Sequence, residues 1–147
     1  MNIFTALLIA LLGQWPQSNW PICYLSYGTV SIQIPPGWLI KKHSTWESSD
    51  SYRFYAPSSH GKLLIFVGNH FQLDDILGGG GRKLICIGGL HGVAASDGIE
   101  TSYFFFLPPA ALDNELAIRY SGFDKEMKAT IDRILSALRV RGISSKC

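Results

Sequence analysis

Residues 124–140 constrain this chain more than any other stretch. Met127, Ile131, Ile134, Leu135 and Leu138 recur at helical spacing, with Lys125, Lys128, Asp132, Arg133 and Arg139 between them. The pattern is one apolar stripe on an otherwise charged helix. Such a helix is unstable alone and has to lie on a hydrophobic surface. Ser121 and Asp124 form a weak capping pattern before it, and Gly142 is a stop after it. Upstream, the period changes from helical to alternating, and the surface has to come from there.

The alternation begins at Thr29–Ile34, with Val30, Ile32 and Ile34 on one side, and Pro35-Pro36-Gly37 ends it. Trp38-Leu39-Ile40 reads as a short strand, and His43–Ser51 as polar loop. Ser51–Ala56 is a second full strand. Lys62–Asn69 is almost wholly apolar, as expected of an interior strand covered on both faces. Within His70–Arg82, a helical turn is predicted around Gln72–Leu77, and Gly78–Gly81 reads as a mobile loop because four glycines carry a large ordering cost. Lys83–Ala95 reads as one long strand with a bulge or bend at Gly88-Gly89. Asp97-Gly98 signals a hairpin into Ile99–Leu107, and Glu115–Ser121 is the last strand. Both Lys62–Asn69 and Ile99–Leu107 are apolar on two faces, so the second face needs a cover. The segments 16–27, 72–77 and 108–112 are the candidates. The predicted class is α+β, an antiparallel sheet of about six strands covered by a long C-terminal helix.

At 147 residues and 47% apolar composition, one domain with a real core is expected. Thirteen basic and eleven acidic residues give a net charge of +2, which supplies no pull toward nucleic acid or an anionic membrane surface. Ile3–Leu12 has the length of a signal-peptide core and is too short to span a bilayer. Residues 1–18 therefore read as an export signal, 19–147 as the single domain, and the location as periplasmic or secreted. A retained N-terminal helix is the alternative. No stable membrane insertion of the mature domain is expected. Of three cysteines, Cys86 reads as a small core hydrophobe, while Cys23 and Cys147 flank the domain and are available to pair.

The segment Val30-Ser31-Ile32-Gln33-Ile34-Pro35-Pro36-Gly37-Trp38 resembles the opening of the PsbP-like family. Strands like Tyr52–Pro57, Leu63–Val67, Ile87–Val93 and Tyr103–Phe106, and a helix like Met127–Leu138, follow in that family's order over roughly 24–141. The resemblance implies an α/β/α sandwich used as a binding surface, generally without catalysis. Relatives of that kind include photosynthetic accessory proteins, nuclear-transport adaptors and exported bacterial immunity proteins. The short, glycine-rich 70–82 connection departs from the family pattern.

No catalytic, metal or cofactor motif stands out. Gly78–Gly81 with Arg82-Lys83 lacks phosphate-loop spacing and leads into a strand rather than a helix. His70 and Asp74 would share a helical face, but further metal ligands are not evident, and a solvated acidic loop is the plainer reading. Cys86 and His91 are an odd number apart, which on one strand turns them to opposite faces. Phe104 and Phe106 read as core. What remains is recognition: Trp46, an aromatic in a polar loop, with His70, Asp74, Asp75 and Arg82, reads as a surface for another protein, a toxin-like effector being the most concrete form. The alternatives are a small-molecule or lipid carrier with a cavity lined by Leu63, Ile65 or Phe105, an enzyme using His70 with Asp74 or Asp75, and an accessory subunit of an envelope complex.

Overall fold

The computed structural model describes residues 19–46, 49–68, 81–107 and 115–147. In these, the chain forms ten strands and one helix: β1 (Ile22–Leu25), β2 (Val30–Gln33), β3 (Leu39–Trp46), β4 (Ser49–Tyr55), β5 (Lys62–Gly68), β6 (Gly81–Ile87), β7 (Leu90–Ser96), β8 (Glu100–Phe106), β9 (Glu115–Ser121), α1 (Lys125–Ser136) and β10 (Arg139–Val140). Seven strands make an antiparallel sheet in the order β3-β4-β5-β9-β8-β7-β6, and β1-β2-β10 make a separate antiparallel sheet.

The first face of the large sheet carries the main core. The row Tyr52–Ile65–Ile118–Tyr103 runs in register across four strands. The inward residues Leu25, Val30 and Ile32 of the small sheet join it, with Ile131, Ile134, Leu135 and Leu138 from the helix stripe. Burial of those four helix-stripe residues contributes on the order of 2 kcal/mol each. As expected, β5 is interior, flanked by β4 and β9. The second face carries a smaller cluster, Ala95, Phe104 and Ala117, with Phe66 and Val93 packed on it.

The predicted α+β class, with six strands under a long helix in an α/β/α sandwich, is corrected to a mainly β protein with two sheets. Three local events account for the difference. First, Lys83–Ala95 is a hairpin. Gly88 (φ 57) and Gly89 (φ 80) both adopt the left-handed conformation that two-residue hairpin turns require, so the chain reverses instead of bulging. Second, Ile22–Leu25, part of the segment read as a cover, is a strand. It pairs with β2 and draws it out of the main sheet. Third, the helix stops early. Asp124 caps its start, accepting from the Met127 N–H at 2.8 Å, and it ends at Ala137 after twelve residues. Leu138 and Val140 stay buried with Arg139 outside, an alternation that suits a strand, and β10 pairs with β2.

Smaller expectations divide. The Asp97-Gly98 turn forms as read: Asp97 Oδ1 accepts from Ile99 N–H (2.9 Å) and Glu100 N–H (2.8 Å). Within the predicted polar loop at 43–51, residues 43–46 belong to β3 and 49–51 to β4, while 47–48 lie outside the described residues. Phe104 is core, but Phe106 is 68% exposed. The predicted turn at 72–77, the glycine loop at 78–80 and the 108–112 cover lie outside the described residues.

Candidate functional site

Two surfaces meet at the end of α1. The first is the outer face of the small sheet. Because Leu25 points inward, Ile22 and Tyr24 point out, and their register partners Gln33 and Ser31 share that face with Arg139. Tyr24 and Ile22 are largely exposed. Next to them, the β1–β2 turn holds Ser26 (φ 47), Tyr27 (φ 55) and Gly28 (φ 80) in succession. Two non-glycine residues in that region cost roughly 1–2 kcal/mol each, so the surroundings must impose the shape. Tyr52 Oη accepts from the Ser26 N–H at 2.7 Å, and Arg141 Nη2 donates to the Tyr27 carbonyl at 3.4 Å. The result presents Tyr27 at 88% exposure, with Lys42 Nζ 5.6 Å from its ring centroid.

A short polar chain fixes the base of this turn. Lys42 Nζ lies 3.0 Å from Asp50 Oδ2, and the Tyr52 hydroxyl donates to the same oxygen at 3.3 Å. The hydrogen bond to Asp50 pushes the Lys42 ammonium pKa up, and burial pushes the Tyr52 hydroxyl up. Lys42 thus stays a cation beside the Tyr27 ring.

The second surface is a groove between α1 and the large sheet, about 370 Å³ in volume and lined by Ile87, Tyr103, Asp132, Ser136, Arg139 and Ser145 among others. A neighbouring groove of about 230 Å³, lined by Ile22, Ser31, Gln33, Ser136, Ala137 and Arg139, opens on the small-sheet side. Ser136 and Arg139 border both. Arg139 Nη1 donates to the carbonyls of Ser136 (2.8 Å) and Leu138 (2.6 Å), a cation satisfying the last carbonyls of a helix where its dipole is negative. On the groove floor, burial pushes the Tyr103 hydroxyl above its ordinary range, helped by its hydrogen bond to Tyr120 and the nearby Asp132 carboxylate. Tyr103 is therefore a neutral donor in the groove.

A disulfide borders the groove at Cys86. Cys86 is linked to Cys147 with Cα atoms 6.0 Å apart, and Cys23 is the free thiol, its pKa pushed up by burial. The readings of Cys86 as an inert core residue, and of Cys23 as partner to Cys147, are both corrected. The first rested on taking 83–95 as one strand. In the hairpin, Cys86 sits directly opposite His91, and Cys86 Sγ lies 4.0 Å from His91 Nε2. The odd-spacing argument against that pair fails because it holds only along one strand.

Of the residues singled out from sequence, Trp46 ends β3 and Arg82 lies in β6. These strands are opposite edges of the seven-stranded sheet, roughly 29 Å apart at normal strand spacing, so the two do not share one site. His70, Asp74 and Asp75 lie outside the described residues. Among the described residues, no group of His, Cys, Asp or Glu could hold a metal ion, and no helix is long and apolar enough to cross a membrane. Leu63, Ile65 and Phe105 are fully buried in the main core. Sequence reasoning missed Tyr24, Tyr27 and Arg139 as a group. The only local signal was Tyr27-Gly28 before a strand; what unites the three is the pairing of β10 with β2.

No protein-family model matches the chain, and no curated protein matches it. The chain is similar to a crystal structure from Bacteroides thetaiotaomicron VPI-5482. Identity is 18% and the TM-score 0.43, over 78% of this chain and 46% of that one. The chain thus spans less than half the length of that protein. The likeness to PsbP-like domains stands on its sequence motifs alone.

Proposed function

We propose that this protein is a non-catalytic binding protein of an oxidising compartment, periplasmic or secreted, that recognises another protein through the outer face of its small sheet. The carrying observation is exposed Ile22 and Tyr24 on that face, beside the polar groove that Ile22 and Arg139 line, with exposed Tyr27 at the adjoining turn. Tyrosine and arginine are the residue types that dominate binding energy at interfaces, because each offers large contact area with a polar end. The strained turn beneath Tyr27 supports the same reading, since backbone strain gathers where a side chain has to be presented. The Cys86–Cys147 disulfide supports the compartment, as such bonds persist outside reducing cytosol. An immunity-type role, in which the patch blocks a rival effector, is the most concrete form of this proposal.

The test is site-specific photocrosslinking in the native host, with the photoreactive residue at Tyr24 or Tyr27 and a control at Lys128 on the exposed side of α1. One discrete adduct at the tyrosines, absent at Lys128 and lost with Arg139→Glu, is expected. Equal labelling at all three positions, or none, overturns the reading.

A second reading has one observation in its favour. The larger groove places Asp132 and Arg139 with Tyr103 between helix and sheet, which suits a small polar ligand bearing both charges better than a lipid. Saturable heat of binding for a free amino acid or dipeptide, abolished by Asp132→Asn, would favour it.

A further inference from the structure

We infer that the Cys86–Cys147 disulfide is a thiol-exchange site assisted by His91, and that opening it ungates the groove along which it lies. The inference is independent of the protein-binding proposal.

Three observations carry it. The β6–β7 hairpin sets His91 across from Cys86, with Nε2 4.0 Å from Sγ. Cys147 and His91 are exposed, while Cys86 is half-buried, so an incoming thiol reaches the Cys147 sulfur first. Finally, the segment 141–147 runs over the hairpin turn and supplies Ser145 to the groove wall. A Cβ at Gly89 would overlap the Ser144 carbonyl, so the segment lies directly on the turn. The described backbone hydrogen bonds within its last part are local: Ile143 N–H to Val140, and Lys146 N–H to the Ser144 hydroxyl. Ile143 packs on the main core, and past it the disulfide ties 144–147 covalently to the sheet.

The reaction takes a dithiol as reductant. Its thiolate attacks Cys147 Sγ, forming a mixed disulfide as the Cys86–Cys147 bond breaks, and Cys86 leaves with the electron pair. Exchange is faster when the leaving thiol is more acidic. His91, with Nε2 beside that sulfur, stabilises the departing thiolate through its ring N–H, and the thiolate then takes its proton from solvent. The other charged groups lining the groove by Cys86 are Arg139 and Asp132, which oppose each other. The reductant's second thiol then attacks its own sulfur in the mixed disulfide. Cys147 is released and protonated, the reductant becomes a disulfide, and two electrons and two protons have moved to the protein.

Opening removes the tether from 144–147 and with it one wall of the groove. A gate of this kind would let a ligand site respond to the thiol–disulfide balance of the compartment.

The test uses the full oxidised chain and dithiothreitol. Reduction is followed by thiol trapping and mass, and NMR order parameters of the amides are read in both states. His91→Gln keeps the exposed position and removes the imidazole. Its reduction rate is expected to fall about threefold or more, with an unchanged circular dichroism spectrum. Reduced wild type, and Cys147→Ser without reductant, are expected to lose order at 144–146 while β5 and β9 keep theirs. An unchanged rate in His91→Gln overturns the role of His91. Order retained at 144–146 after reduction, or lost together with β5 and β9, overturns the gate and leaves the bond as a staple only.

Discussion

Replacing Cys147 by serine measures what the disulfide does for the whole fold. Cys86 and Cys147 are 61 residues apart, so the bond closes a long loop in the unfolded chain. In the chain-entropy model, a loop of that size gives about 4 kcal/mol at 25 °C. One feature of the structure lowers the figure. Residues 144–147 are exposed, and once untethered they regain freedom in the native state, which offsets part of the loss. The expected destabilisation is therefore about 2–4 kcal/mol, out of a total of roughly 5–15 for a domain of this kind. Urea unfolding, monitored by tryptophan fluorescence and circular dichroism, reads it as a shift of about 1–2 M at ordinary slopes. Oxidised wild type, reduced wild type, Cys147→Ser and Cys23→Ser are compared. Reduced wild type and Cys147→Ser should coincide, and Cys23→Ser should stay close to oxidised wild type. Equal loss in Cys23→Ser and Cys147→Ser would show that those two are the bonded pair. A loss below about 1 kcal/mol in Cys147→Ser would refute the loop-closure reasoning.

Three further outcomes follow from named contacts. Gly89→Ala should cost about 3 kcal/mol, combining a left-handed backbone with overlap on the Ser144 carbonyl. Gly98→Ala, at φ 90 in open space, should cost only about 1–2, and equal urea midpoints for the two variants would show that the overlap is relieved. Tyr52→Phe removes the hydroxyl that accepts from the buried Ser26 N–H and should cost about 1 kcal/mol, read by thermal unfolding; a change below a few tenths would mean that the strained turn is held by other contacts. The Asp97 carboxylate accepts the N–H groups of Glu100 and Ile99, which hold its pKa below the ordinary 3.8. Its support of the β7–β8 turn is therefore complete above that value and is lost as pH falls through the lowered folded pKa. The Ile99 and Glu100 amide resonances should follow that titration and lose it in Asp97→Asn; a midpoint at or above 3.8 would contradict the assignment.

Much of the sheet was legible in the sequence because alternation is a local property. Val30 and Ile32, Leu63, Ile65 and Val67, and Leu116 and Ile118 fall inward as their period demands. The Asp97-Gly98 turn was equally readable, since the aspartate makes its own hydrogen bonds two and three residues on. Gly88-Gly89 was not, because two glycines permit a bulge, a bend or a reversal; the turn's fit under Leu138 and Ser144 decides among them. The helix stripe was read too long for a related reason. Leu138 continues the stripe, but Val140, two residues on, follows the strand period, and the edge of β2 pairs with Arg139 and Val140.

The chain by itself determined the inward side of several strands and where most strands run, because hydrophobic period and turn chemistry are set by neighbours in sequence. Which strands pair, which cysteines join, which apolar residues such as Phe106 stay exposed, and which surface gathers Tyr24, Tyr27 and Arg139 were decided only in three dimensions. Each depends on an encounter between distant segments, more than a hundred residues apart for β2 and β10, and nothing local encodes the partner. The pairing of β10 with β2 shows this most directly: two residues at the end of a helical pattern become a strand because an edge was available to them.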